Sequence, residues 1–354
     1  MNPHEALIVA YVDIAHGNVL AAVALAEHLR AARRARNETP SVHGFAISTA
    51  LLNSADLFHK VMSRGKLFKW YLKDSEETRM GLLAQQVQKS TWYDLSQRLK
   101  ALLTTGIKKS EIRLHVFQEF PLLGAAVLGD TWLQDVQDIR LYVPDVHPKG
   151  SAEIAAKQVG ATLYVHNEAA ESRLRAGGLS VVREAPIFIQ GYEALFAHKY
   201  GWGTEWTGGQ QKKTWANPKV LPFAERGVPY VVKSSGSGMS AAVLRSILNG
   251  LEQAGIRDFE VHLPYEVISC VAGIITHQAL PSDKLLVIER YMLALGAHTK
   301  QLASSPSESV QVVANMRQLG AQTQFLPVGV PRGTHEHANL VWAQSQGWVA
   351  EGWG

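Results

Sequence analysis

The chain has 354 residues, 46% of them apolar and 19% charged, with 35 Lys and Arg against 31 Asp and Glu. That length exceeds one ordinary core and suits two α/β domains; the composition excludes a disordered chain, and a net charge of +4 makes no demand for nucleic acid. The single cysteine, Cys270, excludes an intrachain disulfide framework and suits a reducing compartment, and no run approaches the roughly 18 uninterrupted apolar residues of a membrane span.

Ala6-Leu-Ile-Val-Ala-Tyr-Val12 reads as a short buried strand. Asp13 and His16 interrupt its apolar character and no charged segment precedes it, so a cytoplasmic chain without a secretory leader is expected. The turn Asp13-Ile-Ala-His-Gly-Asn18 leads into a helix through about Arg36, whose closing Arg30–Arg36 cations oppose the helix dipole. A strand is expected at Ser41–Ile47. His59 to Lys73 mixes cations with aromatic and aliphatic residues. It reads as a helix packing its apolar side on the N-terminal domain, or as a peripheral contact with the inner face of an anionic membrane. Further strands are expected at Arg113–Gln118, Ile139–Val143 and Thr162–Val165. The stretch from Gly191 to Arg226 breaks the rhythm with Gly201-Trp-Gly203, Gly208-Gly209 and Lys212-Lys213; it reads as an interdomain connection with a loop insertion. Val228-Pro-Tyr-Val-Val-Lys233 then restarts the grammar, followed by Ser234-Ser-Gly-Ser-Gly238 and a helix through about Ala254. Strands follow at Phe259–Leu263, Leu285–Ile288 and Gln324–Pro327. Strands alternating with helices give doubly wound sheets, and recurrence of strand–turn–helix at two domain starts gives two Rossmann-like halves. The expected domains are 1–225, with its connecting segment near 191–225, and 226–354.

The turn Gly236-Ser237-Gly238-Met239 between a strand and a helix lets backbone N–H groups approach a diphosphate, with the helix N-terminus favouring its charge. Ser234, Ser235, Ser237 and Ser240 add hydroxyls. A tight turn needed only for packing gives the same residues. The P-loop spacing is missing, and Ala241 stands where a dinucleotide site has its third glycine, which disfavours a nicotinamide enzyme. Asp145 and His147 lie beyond a strand's carboxyl end, where open α/β sheets bind ligands, although Pro144 and Pro148 would also fix a plain turn there. Glu336 and Asn339, three apart at a helix start, can face one side or serve as caps. His335 and His337 lack the spacing of a helical zinc motif, so no metal is expected.

Several of these segments resemble, in order, the monogalactosyldiacylglycerol synthases and the wider glycosyltransferase family 28 group. Pro229-Tyr-Val-Val-Lys-Ser-Ser-Gly-Ser-Gly-Met239 is similar to the first strand and Gly-x-Gly-Met turn of their C-terminal domain. Gly333-Thr-His-Glu336-His-Ala-Asn339 followed by Gly347 resembles their Gln-Glu-x-x-Asn…Gly stretch, and Ser304-Ser-Pro-Ser307-Glu308 their turn and acidic residue against the donor ribose. Tyr142-Val-Pro-Asp145-Val-His147-Pro148 is similar to their Thr-Asp…His-Pro strand end. Thr162 to Asn167 through Gly177, then Arg183-Glu-Ala-Pro186, follows their next strand, helix and turn.

The resemblance implies a GT-B fold, two Rossmann-like doubly wound domains facing a cleft, and a glycosyltransferase moving a sugar from a nucleotide-diphosphate carrier, by resemblance UDP, to a hydroxyl acceptor. No further cofactor is implied. Donor contacts fall to Gly236, Ser237, Gly238, Met239, Ser307, Glu308, Glu336 and Asn339. The acceptor side falls to Gly17, Asn18 and His147, with His16, Asp13 and Asp145 as the catalytic candidates. The first turn departs from the family: Gly17 holds the glycine position, but Asn18 stands where a histidine is usual, and Asn cannot serve as a general base. Two other readings stay open, a GT-B nucleotide-sugar epimerase that needs no acceptor and a catalytically silent relative that binds nucleotide or sugar as a partner subunit.

Overall fold

The structure, a computed structural model, describes residues 5–12, 16–38, 41–51, 82–143, 150–165, 167–183, 202–207, 210–215, 227–234, 241–264, 266–280, 290–291, 294–303, 313, 317, 322–327 and 334–350. The chain divides into two compact units, Met1–Met62 with Leu67–Leu195, and Phe196–Gly354 with Ser63–Lys66.

In the first unit the elements run β1 (Ala6–Val12), α1 (His16–Arg34), β2 (Val42–Ile47), α2 (Leu82–Leu103), β3 (Ile112–Phe117), α3 (Phe120–Val127), β4 (Asp138–Tyr142), α4 (Gly150–Val159), β5 (Thr162–Val165), α5 (Glu168–Ala176) and β6 (Val181–Arg183). The six strands form one sheet in the order β2-β1-β3-β4-β5-β6, every pair parallel. Successive residues of β1 face opposite sides. Ala6, Ile8 and Ala10 join Trp92, Leu95 and Leu99 of α2, Leu122 of α3 and Ala155 of α4. Leu7 and Val9 join Ala21, Ala22, Leu25 and Leu29 of α1. Both faces are covered, which is why β1 is apolar without alternation.

Helices α2 and α3 meet at Gly124. A Cβ there would lie 2.1 Å from the Gln88 carbonyl oxygen and 2.8 Å from the Trp92 Cβ, so only glycine permits this approach. Trp92 is held in the same contact, its indole N–H donating to Asp130 at 2.9 Å.

The second unit contains β7 (Trp202–Thr207), β8 (Gln210–Trp215), β9 (Tyr230–Lys233), α6 (Ala241–Gln253), β10 (Phe259–His262), β11 (Glu266–Val271), β12 (Ile274–Ala279), β13 (Lys300–Ala303), β14 (Gln324–Pro327) and α7 (Thr334–Ser345). Its main sheet runs β12-β11-β10-β9-β13-β14. The β10, β9, β13 and β14 pairs are parallel, while β11 and β12 extend the edge as an antiparallel hairpin. Val232, Phe259, Val261, Leu302 and Leu326 pack with Ile247 and Leu251 of α6. The fold is therefore α/β with two Rossmann-like doubly wound units, the pair from which the GT-B architecture is built.

Three sequence expectations are corrected locally. The turn Asp13–Asn18 is shorter than expected, because α1 opens at His16 and takes in Gly17 and Asn18. Poor helix formers are tolerated in a first turn, whose N–H groups have no intrahelical partner in any case. The loop expected around 201–213 holds the β7–β8 hairpin, with Thr207 opposite Gln210 and only Gly208 and Gly209 between them. Gly-Gly between two runs is a hairpin signal. Strands β6, β11, β12 and β13 were not expected at all. The strand read at Leu285–Ile288 lies outside the described residues.

Candidate functional site

In an open α/β sheet a ligand crevice forms at the carboxyl ends of two neighbouring strands whose connections leave in opposite directions. In the first unit that point lies between β1 and β3, since β2 flanks β1 on one side and β3 to β6 follow on the other. Its strand ends are Val12 and Phe117, paired through Tyr11 and Phe117. Gln118, just past β3, has φ 84°, a left-handed conformation unusual for a residue with a side chain. Its neighbour Glu119 accepts a hydrogen bond from the Ser151 hydroxyl at 2.6 Å, tying the loop after β3 to the start of α4.

Beneath this edge lies an aromatic stack. Phe117 and Tyr142 stack at 4.7 Å and Tyr142 and Tyr164 at 4.9 Å, with the Arg140 guanidinium over Tyr164. His115 Nδ1 lies 2.9 Å from the Tyr142 hydroxyl. Burial, then the positive charges of Arg140 and Arg113, hold the His115 pKa well below its ordinary value, so its imidazole is neutral near pH 7. His115 and the Tyr142 hydroxyl are not among the site candidates that the sequence offers. The available signal was a histidine inside the otherwise buried strand Ile112-Arg-Leu-His-Val-Phe117.

In the second unit the corresponding point lies between β9 and β13. Lys233 and Ala303 pair as their last residues, so the chain leaves toward 235–240 and toward 304–310 from adjacent strand ends. These are the stretches holding Gly236, Ser237, Gly238 and Met239, and Ser307 and Glu308. Ser234 sits at the mouth of the first. Its N–H donates to the His262 carbonyl at 3.0 Å, it is 1% exposed, and its hydroxyl oxygen has no partner among the described residues. Helix α6 begins at Ala241.

One face of this sheet packs on α6; the other mixes buried polar side chains with apolar ones such as Val231 and Phe325. Glu260, Val231 and Gln301 share one row across the sheet, and His262, Lys233 and Ala303 the row nearer the carboxyl edge. His262 Nε2 lies 2.9 Å from a Glu260 carboxylate oxygen, and Arg290 donates to the other oxygen at 2.6 Å. Burial alone would raise the Glu260 pKa, but hydrogen bonds from His262 and Arg290 hold it below its ordinary value. Burial pushes the His262 pKa down, more than Glu260 pulls it up. The result is an ionised carboxylate accepting Nε2–H from a neutral imidazole, whose Nδ1 has no partner among the described residues. Tyr291 is fully buried. Its ring meets His262 edge-on at 5.5 Å, and its hydroxyl pairs with the Gln301 amide. The Lys233 Nζ lies 5.3 Å from the Tyr291 ring centre and donates to the Ser234 carbonyl at 3.0 Å.

Of the residues read from sequence, Glu336 and Asn339 are brought together on α7 and are 6% and 2% exposed. His16, Gly17 and Asn18 open α1, which follows β1 to the carboxyl edge of the first sheet. Asp13, Asp145, His147, Gly236, Ser237, Gly238, Met239, Ser307 and Glu308 lie outside the described residues, as does 59–73. Among the described residues no three His, Cys, Asp or Glu side chains are placed to hold a metal ion, and no helix is long and apolar enough to cross a membrane.

No family model matches the sequence, and no curated protein matches it. Among solved structures the chain is similar to UDP-GlcNAc 2-epimerase from Methanocaldococcus jannaschii, with 9% identity over 96% of this chain and 92% of that one and a TM-score of 0.41. That likeness gives no residue here a role; the strand orders and registers carry the fold.

Proposed function

We propose that this chain is a nucleotide-sugar enzyme of GT-B architecture, and specifically a glycosyltransferase that moves a sugar from a nucleoside-diphosphate carrier to a hydroxyl acceptor. One observation carries the reading: the buried Ser234 hydroxyl, without a partner among the described residues, stands at the switch point of the second sheet, and the sequence Ser-Gly-Ser-Gly-Met-Ser follows it ahead of α6. An orphaned buried hydroxyl costs free energy unless something bonds it. At the carboxyl edge of such a sheet, where open α/β folds take their ligands, we infer that the partner is an anion. The ordered resemblance to the monogalactosyldiacylglycerol synthases and their family 28 relatives makes that anion the diphosphate of a UDP-sugar.

In this reading the 226–354 domain binds the donor. Ser234 and the Gly236–Ser240 turn stabilise the departing diphosphate, and Glu308, Glu336 and Asn339 hold ribose and sugar hydroxyls. The 1–225 domain presents the acceptor, with His16, Asp13 and Asp145 as candidates for activating its hydroxyl and Gly17, Asn18 and His147 around it.

The test is product analysis of UDP-sugars incubated with the chain, with and without lipid and glycoside acceptors. A new glycoside and free UDP, formed only when an acceptor is present, support transfer. Conversion of the donor sugar to its epimer without any acceptor identifies an epimerase instead. Tight nucleotide binding with every donor recovered unchanged identifies a silent binding subunit.

A further inference from the structure

The second sheet has one closed edge and one open edge. At β14 the Phe325 N–H donates to the Trp348 carbonyl at 2.8 Å, and the Ala350 N–H donates to the Phe325 carbonyl at 3.0 Å, so the chain at 348–350 lies along that edge. At the other edge β12 pairs with β11 alone among the described strands, and all six of its residues are exposed. The ladder shows which backbone groups are left over. The Leu263 N–H donates to the Glu266 carbonyl at 2.9 Å, which makes these two a hydrogen-bonded pair, and such pairs alternate with non-bonded ones along an antiparallel ladder. Ile268 and Cys270 therefore turn their backbone groups to β10, while Val267, Ser269 and Val271 turn theirs to Gln278, Thr276 and Ile274 of β12. Ile275, His277 and Ala279 are left presenting N–H and C=O groups away from the sheet.

An unpaired edge is a template for another strand, and proteins ordinarily guard one with lysine, proline or another charge. β12 reads Ile-Ile-Thr-His-Gln-Ala and has none of these guards. It exposes apolar surface instead: Ile274 is 69% and Ile275 56% exposed, and Val271, opposite Ile274, is 60% exposed. Charge is distributed along the hairpin in a directional way. At the turn end Arg257 is exposed, with its side-chain stem beside Gly273, while the carboxylate of its neighbour Asp258 accepts the Ala272 N–H at 2.8 Å. At the far end Glu266 lies opposite Ala279, 2.7 Å from the His277 ring.

We infer that β12 is the pairing edge of a homodimer, meeting β12 of a second copy antiparallel about a twofold axis at Thr276. The axis stands normal to the sheet, so the outward groups of Ile275 meet those of His277 of the copy on both sides of it, and the two sheets run on as one. Three features select a second copy as the occupant. The strand carries no Lys, Arg, Asp or Glu to repel its own image. The twofold brings the Arg257 end of each hairpin to the Glu266 end of the other, opposite charges in both places. The contact is isologous and uses up the edge, so assembly stops at two. One strand pair is a small interface, which places the dimer among the weaker associations, in the micromolar range. The inference does not rest on the donor reading.

The experiment is sedimentation velocity of the full-length chain from low to high micromolar concentration, for wild type and Ile275→Lys, with amide hydrogen exchange of wild type at both ends of the range. Ile275 is exposed, so the substitution is expected to leave the unfolding midpoint unchanged. Wild type is expected to pass from monomer to dimer. Two lysines brought face to face across the axis are expected to weaken the dimer about tenfold or more. The amides of Ile275, His277 and Ala279 are expected to exchange more slowly as the dimer forms. A wild type that stays monomeric throughout overturns the inference, as does a dimer that Ile275→Lys leaves equally tight. If Ile275→Lys does not fold, exchange at these amides that is equally fast in monomer and dimer overturns it. Open-ended assemblies in place of a dimer overturn the twofold pairing.

Discussion

Replacing Ser234 by Ala separates a binding hydroxyl from a structural one by the sign of its effects. In the free chain the Ser234 hydroxyl oxygen is buried without a partner among the described residues. A hydroxyl desolvated without a hydrogen bond costs about 1–3 kcal/mol in mutational series. Ala removes that cost and leaves a void of only one atom, so the free variant is expected to be more stable by about 1 kcal/mol. For a unit of this size that raises the unfolding midpoint by about 2–4 °C. The ligand effect runs the other way. A hydrogen bond to a charged group is worth about 1.5–3 kcal/mol, so diphosphate affinity falls about tenfold or more. At a ligand concentration of about 100 times the wild-type dissociation constant, wild type gains about 2.7 kcal/mol and a tenfold weaker variant about 1.4 kcal/mol. Differential scanning fluorimetry with and without UDP reads both numbers in one run. A Ser234→Ala chain that is less stable when free, yet shifted as far as wild type by UDP, refutes the reasoning: the hydroxyl then has a structural partner and no ligand.

Gly124→Ala forces α2 and α3 apart at the Gln88 carbonyl. Overpacking of about 1–3 kcal/mol, less about 1 kcal/mol gained in helix propensity, leaves a net loss of about 0–2 kcal/mol by urea unfolding; an Ala variant more stable than wild type contradicts the contact. His115 is neutral in the folded chain, with its pKa held down by burial and then by Arg140 and Arg113, whereas the unfolded chain takes up a proton near pH 6.5. Its contribution to stability is therefore complete above that pH and is lost as pH falls below it, by at most about 1.4 kcal/mol per pH unit. His115→Gln should flatten the fall in stability between pH 7 and pH 5, and a slope identical to wild type excludes this proton linkage. Glu336→Gln keeps the shape of a buried side chain on α7 but removes its charge. UDP-sugar affinity is expected to fall about tenfold, and an unchanged KM for the donor removes Glu336 from the site.

The elements legible in the sequence were those whose apolar pattern is set by burial on both faces. Ala6–Val12, Thr162–Val165 and Gln324–Pro327 coincide with β1, β5 and β14. The hidden ones lacked that pattern for identifiable reasons. Every residue of β12 is exposed, so no face of it is marked by hydrophobicity. β6 has three residues, too few for a period. β13 reads Lys-Gln-Leu-Ala and buries a glutamine, because its second face belongs to the polar array. Glu336 and Asn339 were legible because three-residue spacing on a helix is a local fact. Lys233, His262, Glu260 and Gln301 were not, because they meet only through the register of β10, β9 and β13. The one local clue was a charged residue closing the apolar strand Tyr230–Lys233.

The central claim is that the carboxyl edge of the second sheet, at Ser234, holds a nucleoside diphosphate. It is tested most directly by measuring the thermal stabilisation of the full-length chain across UDP, ADP, GDP and dTDP into the millimolar range, beside Ser234→Ala and Gly238→Val. The account predicts a selective shift with one diphosphate, UDP by resemblance, approaching about 2.7 kcal/mol at 100 times its dissociation constant and diminished in both variants. No shift in wild type with any of the four, or the same shift in both folded variants, would contradict it.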